Sequence, residues 1–358
     1  MEIQIGWGGI ILDKKGPDGY QSSFFRRDLA VDMGTTNTLI YSPRKGIILQ
    51  EPSVVAIDKR TGDLLAAGRK AYLMLGKTPV NIKAVKPLRE GVVADFNYAQ
   101  KMLQHFLFKA VNKIPLVRLR AIITIPYGTT QVERQAVITA GKRTRIREIY
   151  LIEEPLAAAI GTGLPIEDSK GSLIINMGGG VTEIAAVAMG GIIFAKSIRQ
   201  GGDSLDSAIQ RYVYHKFSME IGSGTAKRTK HEIGYALNPP SEKKFEIRGI
   251  NWKTQKPDKA LITAPEVNEA IAPILHPWTM AIKNVFDQVH PQFASDVLNS
   301  GLFLVGGGAL LKNIDLFLNH ELNLPVNVVK EPLTSVVLGA SLALKYFKHL
   351  TYLELYRA

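Results

Sequence analysis

The chain has 358 residues, 46% of them hydrophobic and 21% charged, which supports two or three folded domains and excludes an intrinsically disordered chain. It contains no cysteine, so disulfides, thiolate nucleophiles and thiolate metal sites are excluded. The formal net charge of +12 favours anionic partners: nucleotide phosphate, a lipid surface or nucleic acid. The small basic clusters Lys142–Arg147 and Lys227–Lys230 lack the interleaved aromatics of a nucleic-acid surface and read as solvated faces. No nucleic-acid partner is expected.

No apolar run reaches the roughly 20 residues of a membrane-spanning helix. The opening stretch Met1–Leu12 is apolar but short, and Asp13-Lys14-Lys15-Gly16-Pro17 follows it, which makes a poor signal peptide. Residues 1–27 read as an N-terminal extension. Trp7 and Phe24-Phe25-Arg26-Arg27 leave open a weak anchor at a membrane surface.

Regular patterning begins at Asp28. Leu29–Val31 is a short buried strand, Asp32–Asn37 a turn, and Thr38–Tyr41 resumes strand character. Ile47–Leu49 and Val54–Ile57 are further strands, and Asp58–Gly62 turns the chain into Leu64–Ala66. Tyr98–Val111 places Met102, Phe106 and Ala110 on one helical face. Ala121–Ile125 is a strand stopped by Pro126. A helix then spans Gln131–Ala140, capped near Thr129 or Thr130 with Glu133 in its first turn. Ile149–Ile152 is a strand, and Pro155 begins another helix.

The pattern then starts again. Leu173–Ile175 runs into Asn176-Met177-Gly178-Gly179-Gly180, strands follow at Thr182–Val187 and Ile192–Phe194, and Gly201–Asp206 precedes a helix to about Phe217. Gly222 to about Lys259 is more polar, as in a small appended subdomain. Pro265–Gln288 is helical, with Pro273 and Pro277 expected to end one helix and start another. Leu302–Val305 feeds Gly306-Gly307-Gly308, a helix continues to about Leu318, and Ser335–Phe347 forms a last one. Val31-Asp32-Met33-Gly34 and Ile175-Asn176-Met177-Gly178 both put a polar residue and Met-Gly after a β-rich run. Each opens a similar series, so the chain reads as two related α/β halves with a ligand cleft between them, divided near Tyr150.

Turns rich in glycine and hydroxyls expose backbone N–H groups that can wrap a phosphate, and Asp32 at a strand end suits a hydrated Mg2+. An Asp-x-Gly turn also occurs in ordinary hairpins. Three consecutive glycines after a buried strand imply close approach of backbone to something. The signature recurs at Gly201-Gly202 and Gly306–Gly308, on both halves of the chain. None of these segments has the P-loop or Rossmann spacing. Glu133 reads either as an acid favoured at a helix start or as a residue that holds water beside a terminal phosphate. Glu153-Glu154 reads as a helix-start pair. The seven histidines show no tight ligand spacing, so no structural metal is expected.

These segments together resemble the MreB family, the bacterial actin-like proteins of rod-shape determination. The similarity runs from Asp28 to Phe347. It is most specific in Asp32–Ile40, Glu51–Ile57, Gly91–Asp95, Gln131–Arg134, Ile152–Gly161, His231–Gly234 and Leu304–Leu311.

The resemblance implies the α/β, actin-like fold shared with Hsp70 and sugar-kinase ATPases. It has two related domains, each with a smaller appended subdomain, and a nucleotide cleft between them. Domain I would cover 28–150, with 330–358 returning to it. Domain II would cover 151–329, with its small subdomain at about 205–260. The implied cofactors are ATP and Mg2+. The implied partners are a second copy in paired protofilaments, the inner membrane surface, and membrane proteins of the cell-wall synthesis machinery. The implied place is cytoplasmic, peripheral at the inner face of the cell membrane, and the implied role is cell shape through organised peptidoglycan synthesis.

By matching positions, Asp32 with Gly34, Thr35, Thr36 and Asn37 resembles the first phosphate loop, and Asp32 the Mg2+ ligand. Asn176 with Gly178, Gly179 and Gly180 resembles the second. Gly201, Gly202 and Asp203 belong near phosphate and sugar, and Gly306, Gly307 and Gly308 resemble the adenosine loop. Lys230 falls in the adenosine-contacting helix, and Glu133 matches the residue that positions the attacking water. Phe96-Asn97-Tyr98 falls in the family's membrane-touching loop.

Three positions depart from the family pattern. Asn176 stands for the usual Asp, Val181 for a Thr, and Lys227 for a Glu facing the ribose. The first change removes a charge that helps hold Mg2+ and water, and an amide cannot act as a base. ATP binding with slow or absent hydrolysis is therefore expected. A weak ATPase stays open, because Asp32 and Glu133 are retained. The competing expectation is a structural filament that ignores nucleotide, with a sugar-kinase-like enzyme less favoured.

Overall fold

The computed structural model describes residues 26–111, 118–144, 146–346 and 354–357. The expected tail, with Trp7 and Phe24-Phe25, and the helix end at Phe347 lie outside them.

Among the described residues, the first half of the chain forms β1 (Arg26–Met33), β2 (Asn37–Ser42), β3 (Gly46–Pro52), β4 (Val55–Asp58), β5 (Leu64–Ala67), α1 (Arg69–Tyr72), β6 (Ile82–Val85), β7 (Leu88–Arg89), β8 (Val92–Val93), α2 (Phe96–Val111), β9 (Arg118–Ile125), α3 (Gln131–Lys142), β10 (Ile146–Glu153) and α4 (Glu154–Gly161). Next come β11 (Ser172–Met177), β12 (Thr182–Ala188), β13 (Gly191–Ile198), α5 (Gly202–Phe217), β14 (Met219–Glu220), α6 (Ser223–Ile233), β15 (Lys244–Asn251), β16 (Lys256–Thr263) and α7 (Ala264–Phe286). The chain closes with α8 (Pro291–Ser300), β17 (Leu302–Val305), a 3-10 turn (Gly307–Leu310), α9 (Ile314–Leu322), β18 (Val326–Val328), α10 (Ser335–Tyr346) and β19 (Glu354–Arg357).

The duplication read from the sequence reappears as topology. One sheet has the order β19-β10-β9-β1-β2-β3, the other β13-β12-β11-β17-β18. In the first, β1, β2 and β3 form an antiparallel meander, and β9 and β10 add in parallel beside β1. In the second, β17 adds in parallel beside β11 and β18 beside β17. The strand beginning each repeat is therefore central in its sheet, which explains the near-continuous burial of β11 and β12.

Contacts divide the molecule into two compact units. The first holds the described residues up to Ser172, Val187–Ile193 and those from Thr334 onward; the second holds Leu173–Ala186 and Phe194–Leu333. Tyr150 lies inside β10, well within the first sheet, so the first unit runs about 20 residues beyond the break expected from sequence. The core of the first unit gathers Leu29, Val31, Ile40, Met102, Phe106, Ile123 and Ile149. There Asp28 and Arg120 form a buried bidentate ion pair, Nε–Oδ1 2.8 Å and Nη2–Oδ2 2.7 Å. Gly161 and Gly339 let α4 and α10 meet closely, because a Cβ on either would overlap the other helix's backbone.

α7 differs from its sequence expectation. It runs unbroken through Pro273 and Pro277. Each proline costs a hydrogen bond and a clash worth about 3 kcal/mol in an isolated helix. Here Ile271, Leu275, Trp278, Ile282 and Val285 form a buried stripe along the same helix, and Pro273 lies on the exposed side. Packing of that stripe outweighs the local preference.

Candidate functional site

In the first unit, Asp32 is the penultimate residue of β1, which ends on Met33, and β2 resumes at Asn37, paired antiparallel with Asp32 opposite Leu39. The turn between them is braced from outside. Ser53 donates from Oγ to the Gly34 carbonyl at 2.6 Å and lies 2.9 Å from the Thr38 hydroxyl, while its N–H donates to the Thr36 carbonyl. The Gly91 N–H donates to Thr35 Oγ1 at 3.0 Å. Gly34 leaves no room for a side chain, since a Cβ would sit 2.9 Å from the Asn37 carbonyl oxygen.

Asp32 accepts a 3.3 Å hydrogen bond from the Thr124 hydroxyl of neighbouring β9. Burial pushes its carboxyl up to about 6 from an ordinary 3.8, and the Thr124 bond offsets only part of that. Thr36 Oγ1 is buried and has no hydrogen-bond partner among the described residues. A desolvated carboxylate and an unanswered hydroxyl on one tight turn fit a hydrated Mg2+ and the phosphate it accompanies: hard oxygen donors for the cation, a donor for the anion. Among the described residues no group of three His, Asp or Glu could hold a metal by protein ligands alone. Mg2+ keeps most of its waters and needs only one or two carboxylates, so Asp32 meets that requirement.

In the second unit three glycine segments, far apart in sequence, converge. Gly178 closes its turn by donating to the Val181 carbonyl at 2.9 Å. Gly202 and Asp203 donate backbone N–H bonds to the Gly178 and Gly179 carbonyls at 3.0 and 2.8 Å. A Cβ on Gly201 would meet those carbonyl oxygens at 2.5 and 2.7 Å. On the other side, Gly306 holds φ at +82°, and a Cβ there would meet the Met177 carbonyl oxygen at 2.5 Å. Gly308 likewise packs on Met177, while Gly307 faces Leu333. Gly180 is buried, Asp203 stands in the first turn of α5, and Gln200 Oε1 just before it is buried without a partner among the described residues.

Asn176 is buried, and its amide donates to Glu183 Oε2 at 3.1 Å. Glu183, on β12, is fully buried. The amide at 176 is thus occupied in holding a carboxylate that sequence reasoning did not single out. A charge inside the apolar run Thr182–Ala188 was its available signal. Val181 is buried as well.

Lys230 does not stand free. Its Nζ lies 2.7 Å from Asp206 Oδ1 and donates to the Gly202 carbonyl at 2.6 Å. Asp206 is buried; desolvation raises its pKa, and the charges of Lys230 and Lys227 pull it back. Lys230 therefore ties α6 to the loop that starts α5, and Asp206 joins the site as its partner. Lys227 lies one turn earlier on the same helix.

Glu133 takes the capping role. Its Oε2 accepts from the Thr130 N–H at 2.8 Å and the Thr130 hydroxyl at 2.7 Å, while its own N–H donates back to Thr130 Oγ1. The same reciprocal pair, Thr263 and Glu266, begins α7. Beside it, Arg134 bridges the Thr129 carbonyl and Glu153.

The membrane loop expected at Phe96-Asn97-Tyr98 is the first turn of α2. Phe96 and Tyr98 are half-buried; Tyr98 packs against the core and carries Lys83 over its ring. Only Asn97 is exposed. Tyr98 covers the apolar core beneath, and each aromatic keeps part of its surface exposed. Among the described residues no helix is long and apolar enough to cross a membrane.

Comparison with known proteins agrees with this geometry. The cell shape-determining protein MreB of Escherichia coli K12 is 43% identical over 327 residues, covering 90% of this chain and 94% of that protein. Crystal structures of MreB5 of Spiroplasma citri, bound to ADP and to AMPPNP, superpose with a TM-score of 0.86 at 31% identity, covering 90% of this chain and 97% of theirs. The MamK double helical filament shares the fold at 20% identity, with a TM-score of 0.76 over 89% of this chain and 99% of that one. The profile of the MreB/Mbl protein family matches residues 26–352. The chain belongs to the MreB/Mbl family and has its actin-like fold.

Proposed function

We propose that this chain binds ATP with Mg2+ through the Asp32 turn and the glycine loops of the second unit. It assembles with further copies into filaments at the inner face of the cell membrane, and there it helps determine cell shape by organising peptidoglycan synthesis. The observation that carries nucleotide binding is the buried Thr36 hydroxyl, without a partner among the described residues, on the turn of the desolvated Asp32 carboxylate. The nucleotides bound to MreB5 and the cell-shape role named for the Escherichia coli relative support the same reading.

Turnover is slow in this reading, because position 176 offers an amide already bonded to Glu183. Phosphate release by wild type and Asn176→Asp tests it. The variant should release phosphate at least about tenfold faster, a conservative share of the roughly 10²–10⁴-fold that a well-placed acid–base group contributes. It should also melt lower without nucleotide, since two carboxylates then share one buried contact. Equal release rates would overturn slow turnover. A melting temperature that ignores saturating ATP and Mg2+ would overturn nucleotide binding itself.

The Asn176–Glu183 bond also favours a second reading, a filament that assembles without regard to nucleotide. Sedimentation with and without ATP separates the two: equal pelleting supports the second.

A further inference from the structure

With Phe96 and Tyr98 half-buried in the first turn of α2, the more exposed apolar side chains of the second unit's small sheet acquire significance. β14, β15 and β16 form a three-stranded antiparallel sheet. Strand alternation sends Phe245, Ile247 and Ile262 toward the core, where Ile247 and Ile262 are fully buried. The opposite face carries Lys244, Glu246, Arg248 and Ile250 of β15, paired with Thr263, Leu261, Lys259 and Pro257 of β16. On this face Ile250 is 52% and Leu261 58% exposed.

Where the hairpin turns, every residue from Trp252 to Lys259 is exposed. Trp252 stacks on Tyr214 at 5.7 Å, with Lys253 over its ring. Six cations and two carboxylates lie between Lys243 and Lys259. Arg248 and Lys259 stand directly opposite each other, and both reach the single Glu246 carboxylate, at 2.7 and 3.4 Å. Like charges directly across a ladder destabilise a sheet, and one shared carboxylate cannot neutralise two cations. The face therefore has excess positive charge interleaved with exposed aliphatic and aromatic groups.

We propose that the outer face and tip of the β15–β16 hairpin form the surface by which this protein rests on an anionic lipid bilayer. Ile250, Leu261 and Trp252 enter the headgroup boundary, and Arg248, Lys259, Lys253 and Lys244 engage lipid phosphates. Interfacial binding needs this combination, because buried apolar area and attraction to anionic headgroups each contribute and neither suffices alone. The inference rests on the membrane association proposed above and assigns it to this hairpin.

The full-length protein is sedimented with vesicles of phosphatidylcholine, with and without phosphatidylglycerol. Wild type should pellet only with the anionic vesicles, and less at high salt. Arg248→Ser with Lys259→Ser should weaken binding about 30-fold, the worth of two cation–headgroup contacts. Ile250→Ser with Leu261→Ser should weaken it at unchanged charge. All four side chains are exposed, so melting temperatures should not move, and a Trp252→Phe chain checks the contact independently. Wild-type emission should shift to the blue on anionic vesicles, and that shift should be lost in Trp252→Phe. If wild type binds no vesicle, the membrane reading falls together with this one. If wild type and both double variants bind alike, only the hairpin assignment falls. Variants that bind vesicles normally but no longer polymerise would show a face that meets another copy of the chain, and would also overturn the proposal.

Discussion

Replacing Asp32 with Asn should stabilise the nucleotide-free protein while weakening its response to nucleotide. Burial lifts the Asp32 pKa from 3.8 to about 6, roughly two units. At about 1.4 kcal/mol per unit this is nearly 3 kcal/mol of penalty on the ionised form, and about 2–3 kcal/mol is expected because the side chain keeps some contact with solvent. The folded-state pKa lies above the unfolded value, so the favourable contribution is full below pH 3.8 and is lost as pH rises through about 6. Asp32→Asn should therefore melt a few degrees above wild type at pH 7.5 without nucleotide, and the gap should shrink to about half at pH 5 and close only below pH 3.8. Saturating ATP with Mg2+ should erase most of the gap. Wild type gains about 2.7 kcal/mol at a hundredfold excess over Kd, whereas a neutral amide holds the cation poorly. Thermal melting at two pH values, with and without nucleotide, measures every term. A variant no more stable than wild type at pH 7.5, or a gap that persists unchanged at pH 5, would refute the desolvation argument.

Asp28→Ala should cost about 3–5 kcal/mol in urea unfolding, because it strands the buried Arg120 guanidinium without its bidentate partner. Gly201→Ala should weaken nucleotide binding measured by titration at least about tenfold, since the added Cβ meets two backbone carbonyl oxygens that cannot turn away. Lys230→Ala leaves Asp206 buried without its cation and should push the Asp206 pKa further up. Melting should then show a loss of about 1–3 kcal/mol at pH 7.5 that shrinks as pH falls and Asp206 takes a proton.

Much of the fold was legible because it rests on local chemistry. The repeated strand, Met-Gly turn and strand series at Asp32 and Asn176 announced two related sheets, since buried central strands need apolar runs and their turns need glycine. The Thr130–Glu133 cap was visible as a helix start, and its carboxylate remains there, bonded to the Thr130 backbone and hydroxyl. The prolines of α7 misled because a local penalty of a few kcal/mol yields to a buried stripe that only packing reveals. Tyr98 shows the same limit: its half-burial is set by the core that lies underneath, which no single stretch of chain encodes.

The candidate site divides along the same line. Sequence by itself determined which residue types stand at the turns, including the amide at position 176 and the lysine at 227. Tertiary structure alone decided that Gly178, Gly201 and Gly306 crowd around Met177 and Gly179, that Ser53 braces the first turn, and that Lys230 belongs to Asp206. It also decided that the Asn176 amide holds a buried Glu183. Those contacts join residues from 7 to more than a hundred positions apart, and each depends on burial, which raises the cost of an unpaired charge and the worth of a pair. A residue's identity sets what it can bond; the packing around it sets what it must.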